Sequence, residues 1–395
     1  MPDVQQKRVI DDVEPWIEVL WNAKGTDLLL TAGAPPMIRV DGAMHPIEGQ
    51  PVLSSAQVRR IVLSVVGDDL IPRYEEYREV DFAFDWMGRA RLRCNAFHQR
   101  DTCSLALRMI PYVIPGLHEL GVPPGLQRLV NLPQGLIIVT GPTGSGKSTT
   151  LAAMLDYINR HRPCHIITIE DPIEYVHGNH RSAVSQREVG TDALSFERAL
   201  RAALREDPDV VLVGEMRDLE SIATALTIAE TGHLVFATLH TNDSGQALDR
   251  IVDIFPSDRR DQIEVQLSAS LEGVLYQRLI PRIGGGLVAA YELLIANHAV
   301  RNLVREGKTR QLRNVIATSQ GEGMQTLEQS LSALVANGSV EYEAALHVSL
   351  YPKEVEKPPP GMTIVRDKPR LEDRPTSTTP DGWIAEPDAP RVASL

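Results

Sequence analysis

Residues 141–148 read Gly-Pro-Thr-Gly-Ser-Gly-Lys-Ser. They match G-x-x-x-x-G-K-[ST], a spacing that cradles the phosphates of a nucleotide. The run Leu136–Thr140 before it is apolar and rich in β-branched residues, and a helical pattern follows. Glycines in such a loop let successive backbone N–H groups turn inward around an anion. The helix N-terminus adds partial positive charge. Lys147 should reach the β- and γ-phosphates, and the Ser148 hydroxyl should bind Mg²⁺. The expected nucleotide-binding residues are Gly141, Pro142, Thr143, Gly144, Ser145, Gly146, Lys147, Ser148 and Thr149. A chance glycine turn would not need this strand–loop–helix setting.

Three more constellations bear on chemistry. Ile169-Glu170-Asp171-Pro172-Ile173-Glu174 places three carboxylates at the end of the next apolar run, where ligands of open α/β sheets bind. One of them could activate water; spacing alone does not say which, and an acidic solvated loop is the plain alternative. Val210-Val211-Leu212-Val213-Gly214-Glu215 is an apolar strand ending in a carboxylate. Glu215 would hold Mg²⁺, directly or through water. Thr231-Gly232-His233-Leu234-Val235-Phe236-Ala237-Thr238-Leu239-His240-Thr241 brackets a strand with two histidines. A histidine at a strand end could contact a γ-phosphate or relay its loss, although a lone histidine is more often structural. No Cys or His cluster has zinc-ligand spacing.

The arginines Arg89, Arg91 and Arg93, with Arg100 and Arg108, form the last group. Alternation puts Arg89, Arg91 and Arg93 on one strand face and Ala90, Leu92, Cys94 and Ala96 on the other. A solvated sheet face is the plain reading. Arginine fingers reaching a nucleotide, from the same or a neighbouring subunit, are the sharper one. Nucleic acid is disfavoured, since aromatics are 5% of the chain and do not interleave with the arginines.

The elements that must position these groups are read as follows. Residues 1–12 are a polar lead-in. Residues 13–110 form a small α/β domain, with strands Asp27–Thr31, Met37–Val40 and Ala43–Ile47 and turns at Gly33-Ala34-Pro35-Pro36 and Asp41-Gly42. A helix spans Ser54–Val66, capped by Ser54 or Ser55. Strands Val80–Asp85 and Arg89–Phe97 flank a turn at Trp86-Met87-Gly88, and Leu105–Ile110 is a further strand. Residues 111–125 are a Pro/Gly-rich linker. Residues 126–351 alternate apolar strands (Leu136–Thr140, His165–Ile169, Val210–Val213, Leu234–Thr238) with helices at about 147–160, 195–206 and 219–230, which indicates a mostly parallel sheet. The stretches at about 257–280, 297–306, 324–336 and 341–348 read as helical. Residues 352–395 are Pro-rich without hydrophobic pattern, the composition of a disordered tail.

The chain has 395 residues, 43% hydrophobic and 23% charged. It is long enough for two or three units with their own cores, and collagen, coiled-coil and wholly disordered classes are excluded. The formal net charge of −12 is a poor match for nucleic acid or anionic lipid. The cysteines Cys94, Cys103 and Cys164 are few and odd in number, as in a reducing compartment. The polar N-terminus has no apolar signal region, and no run approaches the 18 or so apolar residues of a membrane span.

These four motifs, in this order, resemble the secretion-type hexameric ATPases, whose Asp box and His box correspond to residues 169–174 and 231–241. Within that superfamily the chain most resembles the type IV pilus retraction ATPases. Pro35-Pro36-Met37-Ile38-Arg39-Val40-Asp41-Gly42, Ser185-Gln186-Arg187-Glu188-Val189-Gly190-Thr191 and Ala299-Val300-Arg301-Asn302-Leu303-Val304-Arg305-Glu306 carry the narrower likeness. The resemblance implies a PAS-like N-terminal domain joined to a RecA-like P-loop NTPase domain, assembled as a homo-hexamer. It implies Glu174 as the glutamate that activates water, Glu215 as the Mg²⁺-holding acid and His233 as the His-box histidine. Arg93 and Arg108 stand where similar proteins place N-domain arginines near the nucleotide. The implied cofactors are ATP and Mg²⁺. The implied setting is cytoplasmic, at the inner face of the membrane, where the motor acts on a pilus platform protein and indirectly on pilin. The helix carrying Arg301 and Arg305 would transmit or regulate force. Leu29 departs from the histidine common there. The alternatives are a pilus-assembly or type II secretion ATPase, a RecA-like nucleic-acid translocase, and a non-hydrolysing nucleotide-gated subunit. The extra N-terminal domain and tetracysteine element common in assembly and secretion ATPases are not present in the sequence.

Overall fold

A computed structural model describes residues 10–40 and 42–358. Most of the lead-in, Asp41 of one expected turn, and the Pro-rich stretch from 359 onward lie outside the described residues. The first part comprises α1 (Glu14–Asn22), β1 (Asp27–Thr31), β2 (Met37–Val40), β3 (Ala43–Pro46), α2 (Ser55–Val66), α3 (Ile71–Tyr77), β4 (Glu79–Trp86), β5 (Ala90–Gln99) and β6 (Thr102–Pro111). Its six strands form an antiparallel sheet in the order β3-β2-β1-β6-β5-β4. Along β5, Ala90, Leu92, Cys94 and Ala96 are buried against α1 and α2, as alternation requires. Ser54 caps α2 in a reciprocal capping box with Gln57.

The second part comprises α4 (Pro124–Val130), β7 (Gly135–Thr140), α5 (Lys147–His161), β8 (His165–Glu170), β9 (Ala183–Glu188), α6 (Phe196–Ala203), β10 (Val210–Val213), α7 (Leu219–Glu230), β11 (Leu234–Leu239), α8 (Ser244–Asp253), α9 (Arg260–Ser270), β12 (Leu271–Pro281), β13 (Leu287–Ile295), α10 (His298–Arg305), α11 (Leu312–Thr318), α12 (Leu327–Ala336) and α13 (Tyr342–Val348). Seven strands form one sheet in the order β13-β12-β7-β11-β10-β8-β9, and only β13 runs antiparallel to its neighbour. Strands β7, β10 and β11 are buried at every position, because helices cover both faces. The fold is thus α/β, an N-terminal antiparallel sheet followed by a mostly parallel one.

Four expectations are corrected. The stretch 257–280 is not one helix: α9 ends at Ser270 and β12 follows directly. Leu271, Val274, Leu275 and Tyr276 are all buried, so both faces of β12 are apolar and no alternation marks it as a strand. Arg89 is not on the strand face with Arg91 and Arg93. It lies in the turn, with its guanidinium 5.6 Å over the Trp86 ring and 3.2 Å from Glu18 Oε1. Trp86 itself ends β4 and is fully buried. The expected linker is shorter than 111–125, since Pro124 starts α4, where a missing N–H costs nothing. Past residue 351, Val355 is buried and Glu354 pairs with Arg313 at 2.7 Å. Among the described residues no helix is long and apolar enough to cross a membrane.

Candidate active site

A cleft of about 580 Å³ opens beyond the C-terminal ends of β7, β8, β10 and β11, the size of a nucleotide site. Parallel pairing brings those ends together: Thr140 lies beside Leu239, and Val213 beside Ile169 and Ala237. Residues 143–149 line it, together with Glu170, Asp171, Glu174, Glu215, His240 and, from the other sheet, Arg108.

The loop from Gly141 to Gly146 has the conformation its glycines allow. Gly141, Gly144 and Gly146 have φ of 147°, 77° and 85°, values that a side chain disfavours. Ser145 Oγ is buried with no protein partner, a donor available to a phosphate oxygen. Lys147 begins α5 and is buried. Its three N–H groups have three acceptors: Gly141 O at 2.8 Å, Pro142 O at 3.0 Å and His240 Nδ1 at 3.3 Å. Burial lowers its pKa, and the charges of Glu215 and Glu174 oppose that shift.

Glu215 ends β10 and lies 2.8 Å from Arg217 Nη2 and 3.4 Å from His240 Nε2. Burial disfavours its charge, but Arg217 and His240 outweigh burial and hold the carboxyl below its usual range. It is an anion at neutral pH. The three carboxylates after β8 have separate environments. Glu170 accepts from Thr168 Oγ1 at 2.6 Å and Gln186 Nε2 at 3.2 Å, and burial raises its pKa. Asp171 and Glu174 are exposed to the cleft. The loop carrying Glu174 is fixed from two sides. Tyr175 OH lies 2.9 Å from Thr149 Oγ1, while Gln186 on β9 donates to Tyr175 O at 2.8 Å and accepts from His177 N at 2.7 Å. His177 is pushed down to about 4 by burial and stays neutral.

The expected site residues divide accordingly. The phosphate loop, Glu174, Glu215 and Arg108 meet in one cleft. His233 does not. It precedes β11, where its carbonyl accepts from Gly135 N at the start of β7 and its Nδ1 lies 3.0 Å from Ile228 O. The six residues of β11, at about 3.3 Å each, put it on the order of 20 Å from the loop. His240, at the other end of that strand, takes the position expected of His233. Arg93 does not line the cleft either; it pairs in register with Arg108 across β5 and β6. Arg108 Nε donates to Asp27 Oδ1 at 2.9 Å, and Arg39 lies 3.5 Å from the other oxygen. Tyr175, Gln186 and Arg217 were not selected from the sequence: the partners of Tyr175 and Gln186 lie on separate elements, and Arg217, two residues from its partner Glu215, stands in no motif.

Residues 91–286 match the model of the type II/IV secretion system protein family. The type IV pilus retraction ATPase PilT of Pseudomonas aeruginosa is 50% identical over 328 residues, covering 83% of this chain and 95% of that one. A twitching motility protein of Neisseria gonorrhoeae is 50% identical over 311 residues, 78% of this chain and 83% of its own. A crystal structure of the pilus retraction motor PilT with bound ADP superposes with a TM-score of 0.79 at 48% identity, over 86% of this chain and 97% of that chain. The glycine-rich loop with its G-x-x-x-x-G-K-S spacing, the acids beyond the strand ends and these likenesses agree: the chain belongs to the type II/IV secretion ATPase family, among the pilus retraction ATPases.

Proposed function

We propose that the chain is a Mg²⁺-dependent, hexameric motor that hydrolyses ATP to retract type IV pili. The observation that carries this reading is the composition of the cleft. Arg108 of the antiparallel sheet faces the same space as the phosphate loop of the parallel sheet, so a nucleotide there touches both parts and its loss changes how they meet. Lys147 and the inward N–H groups bind the phosphates. Ser148 and Glu215 are oxygen ligands suited to Mg²⁺, which neutralises phosphate charge when bound. Glu174 takes a proton from the water that attacks the γ-phosphorus as the bond to the β-phosphate oxygen breaks. His240 holds Lys147 and Glu215 in one line. Arg108 and, from a neighbouring subunit, Arg93 supply positive charge, and residues 112–123 serve as hinge.

The motor would act at the inner face of the membrane on a pilus platform protein. The test is complementation. A piliated host lacking its retraction ATPase should regain twitching with this chain and not with Lys147→Ala. Restoration by both, or by neither when both are produced, contradicts the reading.

A further inference from the structure

Gln277 does not line the cleft, yet its side chain engages the phosphate loop from beneath. Strand β12 runs parallel to β7 with Tyr276 opposite Thr140, so the next residue, Gln277, lies beside Gly141 at the start of the loop. The side chain is 2% exposed. Its Nε2 donates to Ser145 O at 2.7 Å, and its Oε1 accepts from Thr150 Oγ1 at 2.8 Å. One amide thus ties the tip of the loop to the first turn of α5. The loop also packs down on it. A Cβ on Gly141 would stand 2.4 Å from Gln277 O, and one on Gly146 would stand 2.8 Å from Gln277 Nε2.

The consequence follows from the geometry of the peptide. In a trans peptide the C=O and the next N–H point to opposite sides. Among the described residues only Asp171–Pro172 is cis. With Ser145 O drawn toward Gln277, the Gly146 N–H is turned away from it, toward the cleft. We propose that Gln277 is a positioning residue that aims the Gly146 N–H at the phosphates beyond the first of a nucleoside di- or triphosphate. Both ends of its amide are satisfied, so neither flipping it nor replacing it with an acceptor-only carboxylate keeps both bonds. Nucleotide affinity and the hydrolysis step then depend on a residue that touches neither ligand nor metal. This inference rests on nucleotide binding at the phosphate loop.

The test compares ADP and AMP binding to the full chain by calorimetry, together with the melting temperature without nucleotide. Gln277→Leu and Gln277→Glu should weaken ADP binding about tenfold, equivalent to about 1.4 kcal/mol, and leave AMP binding within about twofold. Thr150→Val should give part of that loss, and Thr150→Ser, which keeps the hydroxyl, should give none. An ADP-to-AMP affinity ratio unchanged in Gln277→Glu and Thr150→Val overturns the proposal. So does a loss shared equally by both nucleotides in step with a fall in melting temperature. If Gln277→Leu does not fold, the Glu and Val variants decide. If the wild-type chain does not prefer ADP, or Lys147→Ala keeps the preference, the phosphate-loop site itself fails.

Discussion

The Nε2 atom of His240 lies 3.4 Å from Oε1 of Glu215, while Nδ1 of the same ring lies 3.3 Å from the Lys147 ammonium. Lysine can only donate, so Nδ1 accepts and the ring proton sits on Nε2, facing the carboxylate. One imidazole thereby joins the Lys147 ammonium to the acid that ends β10.

Replacing His240 with Ala removes that bridge inside the cleft. Hydrolysis should fall at least tenfold with the fold intact. His233→Ala, at the far end of the same strand, should leave hydrolysis within about twofold and lower stability by roughly 1 kcal/mol, one lost hydrogen bond. Steady-state hydrolysis and thermal melts on both variants check this. The reverse pattern would restore His233 to the site.

Glu174 is exposed in the cleft, whereas Glu170 is engaged by Thr168 and Gln186. Glu174→Gln should still bind ATP and should hydrolyse it about 10²–10⁴-fold more slowly, the range for loss of a general base. Binding by calorimetry and turnover by phosphate release separate the two effects. Unchanged turnover would move the role to Asp171 or Glu170.

Glu292 on β13 is 4% exposed and accepts from both the N–H and the hydroxyl of Ser244 at the start of α8. Burial raises its pKa above 4.5, the Ser244 bonds oppose that, and Asp243 and Glu328 add to it. With the folded pKa raised, the folded state holds the proton longer. Stability therefore falls as pH rises through the unfolded value toward the folded one, and the penalty is complete above it. Glu292→Gln keeps an acceptor for Ser244 and does not titrate. Its stability relative to wild type should rise from pH 4 to pH 8, as read by melting temperature. A relative stability that falls over that range would show that the carboxylate is favoured in the fold.

Arg301 donates to Ser268 O at 3.0 Å, Ala269 O at 2.9 Å and Glu272 Oε1 at 2.8 Å. It closes the C-terminal end of α9 and fixes the start of β12, where the free carbonyls favour a cation. Arg301→Ala should cost about 2 kcal/mol, and Arg301→Lys should recover only part, because an ammonium lacks the planar fork. Chemical denaturation measures both. A neutral Arg301→Ala would free this residue for the force-transmitting role its motif suggests.

Much of this architecture is legible from residue order. Val210–Val213 and Leu219–Glu230 have the limits their apolar runs imply, and the phosphate loop declares itself between Thr140 and Lys147. The choice between His233 and His240 was also within reach. Ligands bind beyond the C-terminal ends of parallel strands, which selects His240 once β11 is taken as parallel to β7. Strand β12 was not legible, because its buried residues Leu271, Val274, Leu275 and Tyr276 do not alternate and are spaced as on a helix. Nor was the fate of Arg89, whose partner Glu18 is 71 residues away. The bracing of the Glu174 loop by Thr149, through Tyr175, likewise spans separate elements.

The most direct test of the motor account is steady-state ATP hydrolysis per chain across a range of protein concentrations, with light scattering on the same samples. Shared sites predict that activity per chain rises as the six-chain mass appears. Full activity at the mass of a single chain would contradict it and leave an ATPase whose site is complete within one chain.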